Sequence, residues 1–240
     1  MKVTPRGVVA AVLVLLVAAV CVRLGFWQLS RLEERRAVNA AVAAAAERPP
    51  LRLDPAGFAE AAADPGAQVW RRAVAEGRFL HDADQVLRGR SRDGRPGVWL
   101  ATPLETAAGS VMVLRGWVPS PDGTTLDAAA LRTPEGEVRV AGALLPLPRE
   151  PDRGLPIPGR GTDTTWRRLD AAVAAERAPG PVLPLYLQLL PGGAADAAYP
   201  APEPLPALSE GSHLGYAFQW FSFAAIAVAG FAIVAFRRRA

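Results

Sequence analysis

Two histidines stand in a chain that holds one cysteine and one lysine, and His213 is the one placed where an imidazole can do chemistry. It opens a charge-free run over residues 214–236, closed by Arg237, Arg238 and Arg239. Tyr216, Ala217 and Trp220 follow at i+3, i+4 and i+7, so in a helix all four share one face. Imidazole is a metal ligand and the side chain that titrates nearest neutrality. With flat aromatics on the same stripe, it reads as a candidate ligand site. The same residues also suit a plain interfacial belt, because Tyr, Trp and His collect where apolar and aqueous phases meet. Spacing alone leaves both readings open.

Other chemistries lack their residues. A Ser–Lys pair fails because the lysine is Lys2, at the far end of the chain. No Gly-x-Ser-x-Gly elbow exists for a Ser–His–Asp triad. His81 lies with Asp82 and Asp84 in what reads as a solvated turn, and those two carboxylates have no further acidic neighbours for calcium. Cys21 is alone in an apolar segment, which excludes a disulfide framework and a thiolate zinc cluster. The glycine-rich stretch from Arg88 to Gly97 has no P-loop lysine and no following helix. Its four arginines read either as a solvated hairpin rim or as a holder for an anionic headgroup or a partner's carboxylates. The net charge of +4 collects at the chain ends and beside apolar segments, so nucleic acid is not an expected partner. No catalytic set remains, and the expectation is a protein that is not an enzyme.

The elements that would position His213 read as an α+β membrane protein: two transmembrane helices flanking a β-rich, antiparallel, extracytoplasmic domain with a few short helices. Residues 1–6 are a cytoplasmic N-terminus and residues 7–29 a first span, uncleaved because no Ala-x-Ala site follows. Arg23 snorkels towards the headgroups and Phe26 and Trp27 lie in the interfacial belt. Residues 30–190 form the external domain, 191–212 a Pro/Ala-rich linker, 213–236 the second span and 237–240 a basic cytoplasmic tail. At 1.5 Å per residue the second span reaches across a core of roughly 30 Å. Lys2, Arg6 and the C-terminal arginines favour both termini in the cytoplasm. Arg31, Arg35 and Arg36 at the other end of the first span are partly offset by Glu33 and Glu34.

Within the domain a helix is expected to leave the membrane over 30–47 and stop at Pro49-Pro50, with a second over 55–63. Runs at 70–79, 85–90, 98–103, 110–118, 137–145 and 182–190 read as strands, separated by turn residues such as Asp93-Gly94 and Glu135-Gly136. They predict an antiparallel sheet curling into a small barrel. Residues 146–161 read as loop and 163–178 as a short helix containing Trp166 and Asp170.

Several segments in order resemble the Surfeit-locus-one family of cytochrome c oxidase assembly factors. They are Leu24-Gly25-Phe26-Trp27-Gln28-Leu29-Ser30-Arg31; Trp70-Arg71-Arg72 with Gly77-Arg78-Phe79; Val113-Leu114-Arg115-Gly116-Trp117-Val118-Pro119; Trp166-Arg167-Arg168-Leu169-Asp170; and His213-Leu214-Gly215-Tyr216-Ala217 with Gln219-Trp220-Phe221. Two positions depart from the family pattern. Leu114 replaces the usual Asn before Arg-Gly-Trp, and Glu33-Glu34-Arg35-Arg36 replaces a usual Lys. The resemblance implies a bacterial plasma-membrane protein that serves the haem–copper oxidase catalytic subunit, with haem a synthase as a second partner. It implies that His213 ligates the iron of haem a, with Tyr216 and Trp220 beside the macrocycle and the iron the only metal involved. Trp27, Gln28, Arg31, Arg115, Gly116 and Trp117 are the motif residues it marks for partner docking. The alternative is a cofactor-free scaffold that clasps an oxidase subunit through the external domain.

Overall fold

No proline interrupts the chain between Pro5 and Pro49, and alanine, leucine and valine dominate that stretch. It forms one continuous helix, α1, Pro5–Glu47, 43 residues long. The proline at its start supplies a fixed φ where a missing N–H costs nothing. The computed structural model describes residues 5–126, 131, 135–152, 154–156, 164–191, 199–205 and 208–237, without the side chain of Arg6. The flanking charges Lys2, Arg238 and Arg239 lie outside these residues, as do parts of the stretches read as loop 146–161 and linker 191–212. The chain divides into two compact units, Met1–Ala41 with Ala207–Ala240, and Val42–Pro206.

In the first unit α1 runs beside the last helix, which we number α5, His213–Arg237. Both are long and apolar enough to cross a membrane. Val9, Leu13, Leu16 and Val20 on α1 and Phe218, Ile226, Ile233 and Phe236 on α5 are exposed. Such surfaces are consistent with helices that cross a membrane.

The second unit starts with β1 (Leu51–Arg52) and two short helices, α2 (Pro55–Ala63) and α3 (Pro65–Gln68). Asp54 and Asp64 cap them by accepting the Gly57 and Ala67 N–H groups. The main strands are β2 (Arg72–Phe79), β3 (Gln85–Arg92), β4 (Arg95–Thr106), β5 (Gly109–Pro119) and β6 (Glu137–Pro146). Short β7 (Leu155–Pro156) and β8 (Thr164–Trp166), helix α4 (Ala171–Arg177) and β9 (Val182–Leu189) complete it. The sheet order is β1-β2-β6-β9-β5-β4-β3-β8-β7. A further pairing of Arg78 and Phe79 with Glu105 and Leu104 joins β2 to β4, closing β2, β6, β9, β5 and β4 into a small barrel.

Three expectations need correcting. The sheet is mixed, since β1–β2, β3–β8 and β5–β9 are parallel pairs. Asp-Gly turns specify the hairpins but say nothing of β9, which arrives by a crossover and enters between β5 and β6. The helix expected over 163–178 is shorter. Thr164, Thr165 and Trp166 have β-favouring side chains and form β8. Asp170 then sets the start of α4 by accepting the Ala172 and Val173 N–H groups. The described end of the expected linker is bonded to the sheet: Trp117 and Ala201 exchange backbone hydrogen bonds of 2.8 Å, and the Gln188 amide donates to the Glu203 carbonyl at 3.0 Å.

β5 is the central strand and is buried on both faces, which explains its near-continuous apolar run. Val111 and Val113 join Phe58, Leu144, Leu183, Leu185 and Leu187 in one core cluster. Met112 and Leu114 join Leu87, Trp166, Leu169 and Ala174 in a second. The alternation breaks at Arg115, where the β4–β5 register slips between Leu100 and Ala101. That extra residue turns the Arg-Gly-Trp motif into a bulge, a device that re-aims a side chain. Gly116 adopts φ +137° and passes the neighbouring segment so closely that a Cβ there would lie 2.1 Å from the Ala201 carbonyl oxygen. Trp117, 2% exposed, packs edge-on to Tyr199 at 5.8 Å. Gly116→Ala must therefore strain the backbone and push residue 201 away; a loss of about 1–3 kcal/mol is expected, read as a lower urea midpoint for the detergent-purified chain.

Candidate functional site

A stripe of small residues brings α1 and α5 together. Ala18 and Cys21 on α1 pack against Ala224 and Trp220 on α5. At Gly25 the approach is closest, since a Cβ there would fall 2.6 Å from the Phe221 ring. Phe26 meets the same ring edge-on, with centroids 5.4 Å apart. One turn further along α1 comes Gln28, and its Oε1 lies 2.8 Å from Nδ1 of His213 at the first position of α5. Beyond them Arg36 clasps Glu210 through two hydrogen bonds of 2.8 and 2.9 Å. The sequence of contacts from Ala18 to Arg36 runs backwards along α5, so the two helices are antiparallel.

The Gln28 contact fixes the chemistry of the ring. An amide oxygen only accepts, so His213 donates from Nδ1, and the neutral ring then carries its lone pair on Nε2. Among the described residues Nε2 has no hydrogen-bond partner. Metal-binding histidines have this arrangement, with one nitrogen held by an outer-shell acceptor and the other left to coordinate. Gly211, two residues before the histidine, adopts φ +69°, a conformation that favours glycine. The residues present fit an imidazole-ligated group.

The other residues singled out from sequence separate into different places. Trp220 is in the helix-packing cluster, while Tyr216 is 50% exposed. Trp27 is exposed, and Arg31 pairs with Glu34 of its own helix. Arg115, 5% exposed, belongs to the second unit. Its guanidinium lies over the Phe79 ring at 5.0 Å, with Nη1 3.5 Å from the Thr102 hydroxyl. That hydroxyl donates to Asp84, so bulge, strand and turn meet in one buried polar cluster. Burial raises the Asp84 carboxyl to about 6, against the pull of the Thr102 hydrogen bond, Arg115 and His81. His81 is not a bare turn residue, since its ring lies 5.8 Å from Phe79.

Residues 15–225 match the SURF1 family. The chain belongs to the SURF1 family. A SURF1-like protein of Rickettsia felis is 33% identical over 43% of this chain and 44% of its own length. One from Rickettsia conorii is 32% identical over 44% of this chain and 42% of its own length. The chain thus spans less than half the length of these two relatives in alignment. A third, from Rickettsia bellii, is 27% identical over 88% of this chain and 85% of its own length. Within this SURF1-family chain, the Trp-Gln segment of α1 and the histidine segment of α5 meet in space although they stand 185 positions apart. Sequence reading named both segments but had no signal for the pairing. It also missed Asp84, which the β3–β4 register sets opposite Thr102 and which reads from sequence as a turn residue.

The raised Asp84 carboxyl makes the protonated form the one that folding favours. Between the unfolded value near 4 and the folded value near 6 the native state holds the extra proton, so stability falls as pH rises through this window. The fall is expected to reach at most ~3 kcal/mol. Comparison of urea midpoints at about pH 4 and about pH 7, either side of the folded value near 6, should show that Asp84→Asn removes this component.

Proposed function

We propose that this chain is a non-enzymatic, membrane-anchored assembly factor for haem–copper (cytochrome c) oxidase, which holds haem a on His213 and passes it to the oxidase catalytic subunit. The observation that carries the proposal is the oriented imidazole: Nδ1 held by Gln28 at 2.8 Å, Nε2 unengaged, at the start of a helix apolar enough to cross a membrane. Family membership supports the cellular role. Haem iron takes an imidazole as axial ligand, and the macrocycle is cargo rather than catalyst. Gln28 fixes the tautomer and the ring plane, so the iron meets a prepared nitrogen. Leu214 and Tyr216, both more than half or half exposed at 56% and 50%, give the porphyrin apolar surface beside the ligand. The termini lie in the cytoplasm and the barrel on the opposite face of the plasma membrane, where it meets the oxidase subunit; haem a synthase supplies the cargo.

Protein purified in detergent from cells that make haem a should carry a Soret band, and His213→Ala should abolish it. Gln28→Leu keeps the ligand but removes its orienting acceptor, so haem affinity should drop by about 10–100-fold, measured by spectral titration. A Soret band unchanged in His213→Ala overturns the ligand assignment. Normal oxidase yield in cells carrying that variant favours the cofactor-free scaffold.

A further inference from the structure

The arginine-rich hairpin joining β3 to β4 is not a loose rim at its base. Arg88, Gly89, Arg90, Asp122, Gly123, Thr124 and Arg167 line a cavity of about 510 Å³, within the range of small-molecule sites. Each wall is built. Arg88 donates to the Thr165 carbonyl at 2.6 Å, and Arg90 donates through Nη2 to the Arg167 carbonyl. The Arg90 guanidinium lies 4.3 Å from the Trp99 ring centroid. Gly89 N–H donates to the Gly123 carbonyl at 3.0 Å, tying β3 to the loop opposite. The pocket stays on its own unit and involves no residue of the haem-ligand site.

Its charge is unbalanced. Among the described residues no carboxylate lies within ion-pair distance of Arg88, Arg90 or Arg167, although Asp152, outside the lining, attracts Arg88 through space. Asp122 is occupied by its own turn, accepting from Thr124 and Thr125 N–H at 2.8 and 2.7 Å and from Ser120 at 2.8 Å. The Thr125 hydroxyl and N–H hold its carboxyl far below the usual carboxylate range, so it stays ionised. Asp152, on the Arg88 side, accepts the Arg167 and Arg168 backbone N–H groups. Three guanidinium charges less the Asp122 charge leave the lining at a net of two positive. The Arg90 Nε is buried and has no hydrogen-bond partner among the described residues, while its Nη2 is held by the Arg167 carbonyl. A buried, unsatisfied cation donor is costly, and a native structure that keeps one calls for an explanation.

We propose that this pocket binds a phosphate group. A phosphate monoester near neutral pH carries close to two negative charges and three acceptor oxygens, matching the net charge of the lining. Arginine forks suit phosphate geometry better than lysine does. The three arginines are the charged donors of the lining, so the phosphate is the recognised part. It comes either from a soluble phosphate ester or from an anionic lipid headgroup.

The test uses the full-length protein in an uncharged detergent. Glycerol 3-phosphate is titrated by calorimetry, and retention of phosphatidic acid against phosphatidylcholine is followed by native mass spectrometry. Saturable binding of glycerol 3-phosphate identifies a soluble source; retention of phosphatidic acid alone identifies the headgroup. Arg88→Gln and Arg167→Gln should each weaken the bound probe about tenfold, while Arg72→Gln, on β2 away from the pocket, should not. Arg167 makes no side-chain hydrogen bond among the described residues, so its variant decides the matter if Arg88→Gln lowers the unfolding midpoint. Absence of binding by both probes, affinity untouched in Arg167→Gln, or succinate binding as tightly as glycerol 3-phosphate overturns the proposal.

Discussion

Helices apolar enough to cross a membrane would gain nothing in lipid by hiding apolar surface from it, and close approach is then what holds such a pair together. Here that approach is set by Gly25, whose missing side chain admits the Phe221 ring, and by Ala18, Cys21, Ala217 and Ala224, all buried. Register follows from it. With Gly25 against Phe221, the residue one turn on, Gln28, arrives opposite the first residue of α5. The exposed Arg36–Glu210 pair contributes to this register more than to stability, because ion pairs open to water are weak. The chemistry of His213 is thus a property of helix packing several ångströms away.

The barrel unit solves a different problem. Its central strand has no wet face, so polar groups that reach it must be satisfied internally. Arg115 is sent by the bulge towards Phe79, Thr102 and Asp84, and the amide of Gln85, 0% exposed, pairs with both backbone groups of Asp170 at 3.0 and 2.9 Å. The second arrangement is neutral and complete. The first is charged and in tension, with burial opposing the ionised Asp84 while Arg115 favours it. The Arg-Gly-Trp segment accordingly acts inside the fold: one residue aimed inwards, one allowing backbone contact, one anchoring residues 199–201.

Hydropathy made α1 and α5 legible, and turn chemistry made the hairpins β3–β4 and β4–β5 legible, because both signals are local. The helix over Pro55–Ala63 was readable for the same reason, with its proline start and the Asp64-Pro65-Gly66 stop. What escaped is non-local. The parallel β5–β9 pair and the bond between Gln28 and His213 both depend on residues far apart in the chain. Trp166 illustrates a local conflict: its segment Thr164–Trp166 precedes an alanine-rich helix and was absorbed into it, although β-branched neighbours favour a strand. The arginines of β3 looked like a solvated rim because charge alone cannot reveal that Trp99 lies beneath one of them.

The position of β9 has a consequence for how the chain assembles. The barrel wall between β5 and β6 is filled by a strand that follows β6 by 35 or more residues, counting from Pro146 to Val182. Until it arrives, two neighbouring strands present open edges, which invite pairing with other chains. A translation product ending before this strand would not be a smaller barrel but an unsealed one, and the high sequence separation of the closing contacts favours slow maturation. Quality control of such a chain has a simple structural criterion: whether its last strand has found the gap.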